Sequence, residues 1–169
     1  MVERVNRKEG GLIFLDAPGG TGKTFTLNVI AAAIRTNDGT VASTAFTGVA
    51  ANLLHEGRTT NGMFKIPCQV YNGATCNVPA QSNLAKYLKE MDVGIIDEGP
   101  MMNKESFECL DRTLRHLTGN HREKFGGKLI LVSGDFRQML PVVKRGGRAS
   151  VVGACLKVLL IFGTMKLRY

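Results

Sequence analysis

Phe14-Leu-Asp-Ala-Pro-Gly-Gly-Thr-Gly-Lys-Thr24 is the segment on which the architecture turns. Before it, residues 11–17 form a short apolar run that stops at Pro18-Gly-Gly20, the pattern of a buried strand entering a turn. After it, Leu27, Ile30, Ala31 and Ile34 share one face of a helix over 23–36, which Asn37-Asp-Gly39 stops. Strand, glycine-rich turn and helix in that order make the setting a phosphate-binding loop requires. Pro18, Gly19, Gly20, Thr21 and Gly22 would cradle phosphate oxygens with backbone N–H groups, aided by the positive end of the helix dipole. Lys23 would reach the β- and γ-phosphates of ATP, and the Thr24 hydroxyl would ligate Mg²⁺. The loop opens on Ala17 where glycine is usual, one small residue for another. The alternative is a glycine-rich strand–helix turn with no ligand.

Two further strand ends bear on the same chemistry. Val93-Gly-Ile-Ile-Asp97-Glu98 is an apolar run delivering two adjacent carboxylates to a sheet edge, where ligands bind in open α/β folds. Asp97 would hold Mg²⁺ through water, and Glu98 would orient and deprotonate the attacking water. Leu131-Val-Ser-Gly-Asp135-Phe-Arg-Gln138 ends a third strand, and Gln138 is placed to sense the γ-phosphate. Between these motifs the spacing predicts a strand at 40–44, a short helix at 48–54 and an irregular excursion at 67–79. It also predicts a helix at 80–90, a strand at 91–97, an amphipathic helix at 104–118 and a strand at 128–133. A helix over 151–162 and a strand over 165–169 complete the pattern. Strands alternating with helices imply an α/β fold, a parallel sheet covered on both faces.

The 169 residues suit one domain, and 44% hydrophobic with 21% charged residues excludes a disordered tail, a fibre or a coiled-coil rod. No apolar run is long enough for a membrane span, and the N-terminal residues lack the core of a signal peptide. Cys68, Cys76, Cys109 and Cys155 form no Cys-x-x-Cys pair, so reduced thiols are expected in place of a zinc site. The net charge of +8 is lopsided: residues 136–169 hold seven basic side chains and no Asp or Glu. Such an ending suits a polyanionic partner or a neighbouring acidic surface.

Phe14 to Thr24, Ser43-Thr-Ala-Phe-Thr-Gly-Val-Ala-Ala51, Gly57-Arg-Thr59, Ile96-Asp-Glu-Gly-Pro-Met101 and Ser133-Gly-Asp-Phe-Arg-Gln-Met-Leu-Pro-Val142 occur in order. Together they resemble the Pif (petite integration frequency) family of superfamily-1B DNA helicases, close to the form carried by Helitron transposons. The resemblance implies a RecD-like, RecA-type P-loop NTPase domain, the first of two motor domains that walk 5′ to 3′ on single-stranded DNA at the expense of ATP. It implies that Ser43, Thr44 and Thr47 lie on the segment that touches DNA phosphates, with Gly57, Arg58 and Thr59 beside it. Roles in DNA repair, recombination and telomere maintenance, action on single-stranded or forked DNA as a monomer, and a nuclear location with the mitochondrion second are implied in the same way.

The chain departs from that family in four places. Asn61 stands where His is common, Gly99 follows the two acids in place of a more usual small or polar residue, and no adenine-reading Gln motif precedes the phosphate loop. The fourth is that the 169 residues reach Lys166-Leu-Arg-Tyr169, where the family enters its second motor domain, so the expectation is a first motor domain without its partner's transition-state arginine. Two other classes stay open. One is a different P-loop NTPase, although Asn103-Lys104-Glu105-Ser106 lacks the Asp of a guanine reader. The other is a non-catalytic nucleotide- or DNA-binding remnant of a transposon helicase.

Overall fold

Strands β1 (Gly11–Asp16), β2 (Val41–Ala45), β3 (Arg58–Thr59), β4 (Val93–Asp97), β5 (Leu129–Gly134) and β6 (Met165–Arg168) form one sheet in the order β3-β2-β4-β5-β1-β6. Every pairing between them is parallel. This is a computed structural model; it describes residues 1–137 and 153–155 and the backbone of Met165–Arg168. Gln138, the basic residues Lys144, Arg145, Arg148 and Lys157, and nearly all of the helix expected at 151–162 lie outside the described residues.

Alternation along the central strands sends side chains to two separate cores. Ile13, Leu15, Val93, Ile95, Leu129 and Leu131 pack under α2 (Lys23–Arg35) and α3 (Gly48–Leu53), with α1 (Val2–Asn6) at the margin. Leu12, Phe14, Ile96, Ile130 and Val132 pack under α4 (Thr60–Phe64), α5 (Asn83–Glu90) and α6 (Lys104–Thr118). Both faces are therefore dry, which is why β4 and β5 read as unbroken apolar runs without period-2 alternation.

Helix limits follow cap chemistry. Asn103 accepts from the Ser106 N–H and opens α6, whose Phe107, Leu110, Leu114 and Leu117 form the expected buried stripe, and Gly119 closes it in the left-handed region at φ 72°. The helix expected at 80–90 begins at Asn83 because Ser82 takes the N-cap, its oxygen accepting from the Ala85 N–H. Residues 67–79 form no helix or strand, as expected, yet they are tied down. Arg112 donates to the Ala74 carbonyl at 2.9 Å, the Cys76 N–H donates to Thr113 Oγ1 at 2.8 Å, and Ala74 and Cys76 are buried. Among the described residues no helix is long and apolar enough to cross a membrane.

Candidate functional site

In a parallel sheet the loops after β1, β4 and β5 leave from the same edge, so the three motifs meet whatever their separation in sequence. The exposed loop Pro18–Gly22 leads into α2, and Gly22 caps that helix at φ 82°, a conformation open to glycine at little cost. Lys23 curls back over the loop, its Nζ donating to the carbonyls of Ala17 at 2.8 Å and Pro18 at 2.6 Å. Thr21 Oγ1 also donates to the Pro18 carbonyl, at 2.8 Å.

The Thr24 hydroxyl donates to Asp97 Oδ2 at 3.3 Å, joining positions 73 residues apart. Asp97 is buried, and its other oxygen, Oδ1, accepts from Ser133 Oγ at 2.8 Å and from the Glu98 N–H at 2.9 Å. Three donors from three segments hold the carboxylate in one orientation. Glu98 has other partners: its Oε2 accepts from the Thr47 N–H at 3.0 Å and from Thr47 Oγ1 at 2.6 Å. Its backbone sits in the left-handed region at φ 57°, which sends the chain straight into the short 3-10 turn Gly99–Met101. Gly99 is required there, because a Cβ would come within 2.2 Å of Val132 Cγ1. The family-atypical glycine thus has a packing cause.

Lys23, Thr24, Asp97, Glu98, Asp135 and Leu53 help line a cleft of about 220 Å³. On its far wall Asp135 Oδ1 accepts from Arg137 Nε at 2.8 Å and from the Arg137 N–H at 2.9 Å, and these hydrogen bonds hold its carboxyl below the usual carboxylate range. A larger hollow, about 680 Å³, opens at the β2 edge between Glu56, Arg58 and Tyr87. It contains none of the phosphate-loop or carboxylate residues, so its size does not compete with the chemistry of the smaller cleft.

The residues fit a triphosphate and a small hard cation. Thr24 and Asp97 offer oxygen ligands of the kind Mg²⁺ prefers, already within hydrogen-bonding distance of each other. Among the described residues no three His, Cys, Asp or Glu side chains cluster as a metal site complete in itself, so such a cation would share its shell with substrate phosphates and water.

The expected DNA-side residues divide. Thr47, Gly57, Arg58 and Thr59 lie on the segment after β2. Thr47 and Thr59 cap α3 and α4 by accepting from the N–H groups of Ala50 and Gly62, and Arg58 is exposed. Ser43 and Thr44 stand apart from the other expected DNA-side residues. Both are buried in β2, where Ser43 Oγ accepts from Arg35 at 3.3 Å and Thr44 Oγ1 donates to the Ile95 carbonyl at 2.7 Å. A strand covered on both faces encloses every side chain, so their polarity is satisfied inside the sheet. Asn61, in place of the usual His, is exposed on the first turn of α4. Sequence reasoning missed Ser133 and the Thr47–Glu98 contact. A serine in an otherwise apolar buried strand was the available signal for Ser133.

The model for the PIF1-like helicase family matches residues 1–167. The chain is 34% identical over 141 residues to the ATP-dependent DNA helicase Pif1 of Psychrobacter sp. (strain PRwf-1), a match covering 82% of this chain and 21% of that protein. It is 32% identical over 146 residues to the ATP-dependent DNA helicase PIF1 of Danio rerio, covering 83% and 22%. In structure it is similar to the Pif1 helicase from Bacteroides in complex with ADP-AlF3 and ssDNA: TM-score 0.77, 23% identity, covering 99% of this chain and 40% of that one. The Pif1 helicase from Candida albicans gives a TM-score of 0.65 at 25% identity, covering 99% and 38%. The chain therefore spans about a fifth of these two relatives and about two-fifths of these solved structures.

Proposed function

Because this chain belongs to the PIF1-like helicase family, we propose that it is the first, nucleotide-binding motor domain of an ATP-dependent 5′-to-3′ DNA helicase, binding Mg·ATP between the phosphate loop and the carboxylates at the end of β4. The observation that carries this reading is the meeting of Thr24 with Asp97 across 73 residues of chain. A glycine-rich turn without a ligand has no reason to bring its hydroxyl to a buried, triply hydrogen-bonded carboxylate.

In this mechanism Lys23 exchanges the carbonyls of Ala17 and Pro18 for phosphate oxygens, and the N–H groups of residues 19–24 surround the β-phosphate. Thr24 and Asp97 would hold Mg²⁺, which supplies charge neutralisation on the phosphates. Ser133 and the Glu98 N–H keep Asp97 oriented for that task. Glu98 accepts a proton from the attacking water as its oxygen bonds to the terminal phosphorus. The bond from that phosphorus to the bridging oxygen then breaks and ADP leaves. Gln138 would sense the terminal phosphate. The transition-state cation would come from a second motor domain, and an arginine in that role contributes roughly 10³–10⁵ in turnover.

Single-stranded or forked DNA would run along the segment after β2, with Thr47, Gly57, Arg58 and Thr59 beside it, bound through phosphates and without reading sequence. A monomeric state, a place in DNA repair, recombination or telomere maintenance, and a nuclear location with the mitochondrion second belong to the same proposal, resting on the family resemblance. The experiment is a titration of a fluorescent ATP analogue against the wild-type chain and Lys23→Ala, with and without Mg²⁺. At least tenfold weaker binding to the variant is expected, and equal affinities would dismiss the phosphate-loop reading.

A further inference from the structure

The adjacent carboxylates Asp97 and Glu98 line one cleft but have different partners. Asp97 is held by Thr24 of the phosphate-loop helix and by Ser133, whereas Glu98 is held by Thr47, the N-cap of α3. Both Thr47 donors converge on the same Glu98 oxygen, Oε2, and so occupy its two lone-pair directions. Donors to an ionised acceptor give the stronger class of hydrogen bond. The tie is also tightly built: the Phe46 N–H donates to the Asp97 carbonyl at 3.0 Å, and Thr47 Oγ1 simultaneously accepts from the Ala50 N–H at 3.2 Å. Any shift of the start of α3 is therefore felt at Glu98. Beyond α3 the chain runs directly into Arg58, Thr59 and α4, where a Thr60 hydroxyl donates to Thr44 inside the sheet at 3.2 Å.

We propose that Thr47 is a positioning residue that restrains Glu98: it ties the carboxylate to α3 when the site is empty, and hydrolysis requires that tie to be released. The segment 47–64 thereby sets when Glu98 can reach the attacking water. This rests on the reading of Glu98 as the proton acceptor in hydrolysis, and assigns the control of that acceptor to a threonine whose hydroxyl faces it and not the solvent.

Three substitutions separate restraint from ordinary helix capping. Thr47→Asp keeps an oxygen to cap α3 but has no hydroxyl to donate and repels Glu98. Thr47→Val loses the cap and the hydroxyl half of the tie, leaving only the backbone N–H on Glu98, and Thr47→Ser keeps all of these. In single-turnover hydrolysis by the 169-residue chain without DNA, Asp and Val are expected to raise the rate several-fold at unchanged apparent KM for ATP, and Ser to restore the restraint. A rate for Thr47→Asp at or below wild type overturns the proposal.

A second arm does not depend on turnover. In thermal unfolding without ligand, Glu98→Ala should lower Tm more in the wild-type background than in Thr47→Val, which keeps only the backbone half of the tie; with saturating Mg·ATPγS the two backgrounds should respond alike. Additive shifts without ligand, or the same non-additivity with nucleotide bound, also overturn it. Failure of the underlying reading looks different: Glu98→Ala then hydrolyses at the wild-type rate although its coupling to Thr47 in unfolding persists.

Discussion

Replacing Gly99 by alanine should destabilise the protein, and removing part of Val132 should reverse the effect. The added Cβ would lie 2.2 Å from Val132 Cγ1, which is fully buried on β5. Carbon atoms pack at about 3.5–4.0 Å, so the shortfall is at least about 1.3 Å, and backbone must move to relieve it. Overpacking of this kind costs typically about 1–3 kcal/mol. For a chain of this size that lowers Tm on the order of 2–12 °C. In Gly99→Ala/Val132→Ala the offending methyl group is absent. The remaining neighbours of the new Cβ are the Ser133 carbonyl oxygen at 3.5 Å and Val132 Cβ at 3.7 Å, both ordinary contacts. Val132→Ala alone should cost about 2 kcal/mol through lost burial and a cavity. The double variant should be no less stable than Val132→Ala, a favourable coupling of about 1–3 kcal/mol. Urea unfolding of the four proteins measures this directly from the midpoints at constant m. Additive losses, or a Gly99→Ala protein as stable as its parent, would refute the packing argument.

The 169-residue chain is expected to bind Mg·ATP yet hydrolyse it slowly and unwind nothing; robust DNA-stimulated turnover by this chain in a phosphate-release assay would contradict that. Binding of a labelled single strand should weaken with salt at a logarithmic slope near −0.7 per phosphate contact, and Arg58→Ala should reduce the slope by about one contact; a flat response would argue against a DNA surface. Burial pushes the Cys76 thiol up to about 12, opposed by its hydrogen bond with Thr113, so it stays protonated in the folded protein where the unfolded chain ionises near 9.0. The native state then holds the extra proton, and stability should be intact below pH 9 and fall as pH rises toward 12, a decline that Cys76→Ser should flatten in pH-dependent unfolding. At pH 8, exposed Cys68 should react with a thiol reagent far faster than buried Cys76 or Cys109, as mass spectrometry of the labelled peptides would read.

The phosphate loop, the two acids at the end of β4 and the long helices were legible because each is written locally, as a glycine pattern, an apolar run with a polar end, or a stripe over several turns. The limits of α6 coincide with the expected 104–118 because its caps are sequence-local. Three short elements escaped. The five residues of α1 and of α4 are too few to display a period, and Arg58–Thr59 is a strand only because it lies beside Thr44 and Ala45. The inward setting of Ser43 and Thr44 was hidden for a related reason. A hydroxyl at a strand end reads the same whether it faces a ligand or a neighbouring carbonyl, and only the second layer of helices decides. The tie between Thr47 and Glu98 joins residues 51 apart, and no local pattern announces it.

Pairing of β1 with β5 places Gly11 beside Leu129, 118 residues later. During synthesis at about 5–20 residues per second, Leu12, Ile13, Phe14 and Leu15 leave the ribosome roughly 6–24 s before the strand that will sit against them exists. For that interval the first strand of the sheet is a bare apolar edge of the type that chaperones recognise. A nascent chain stalled anywhere before Leu129 would retain that unpaired edge, the type of surface on which aggregation starts.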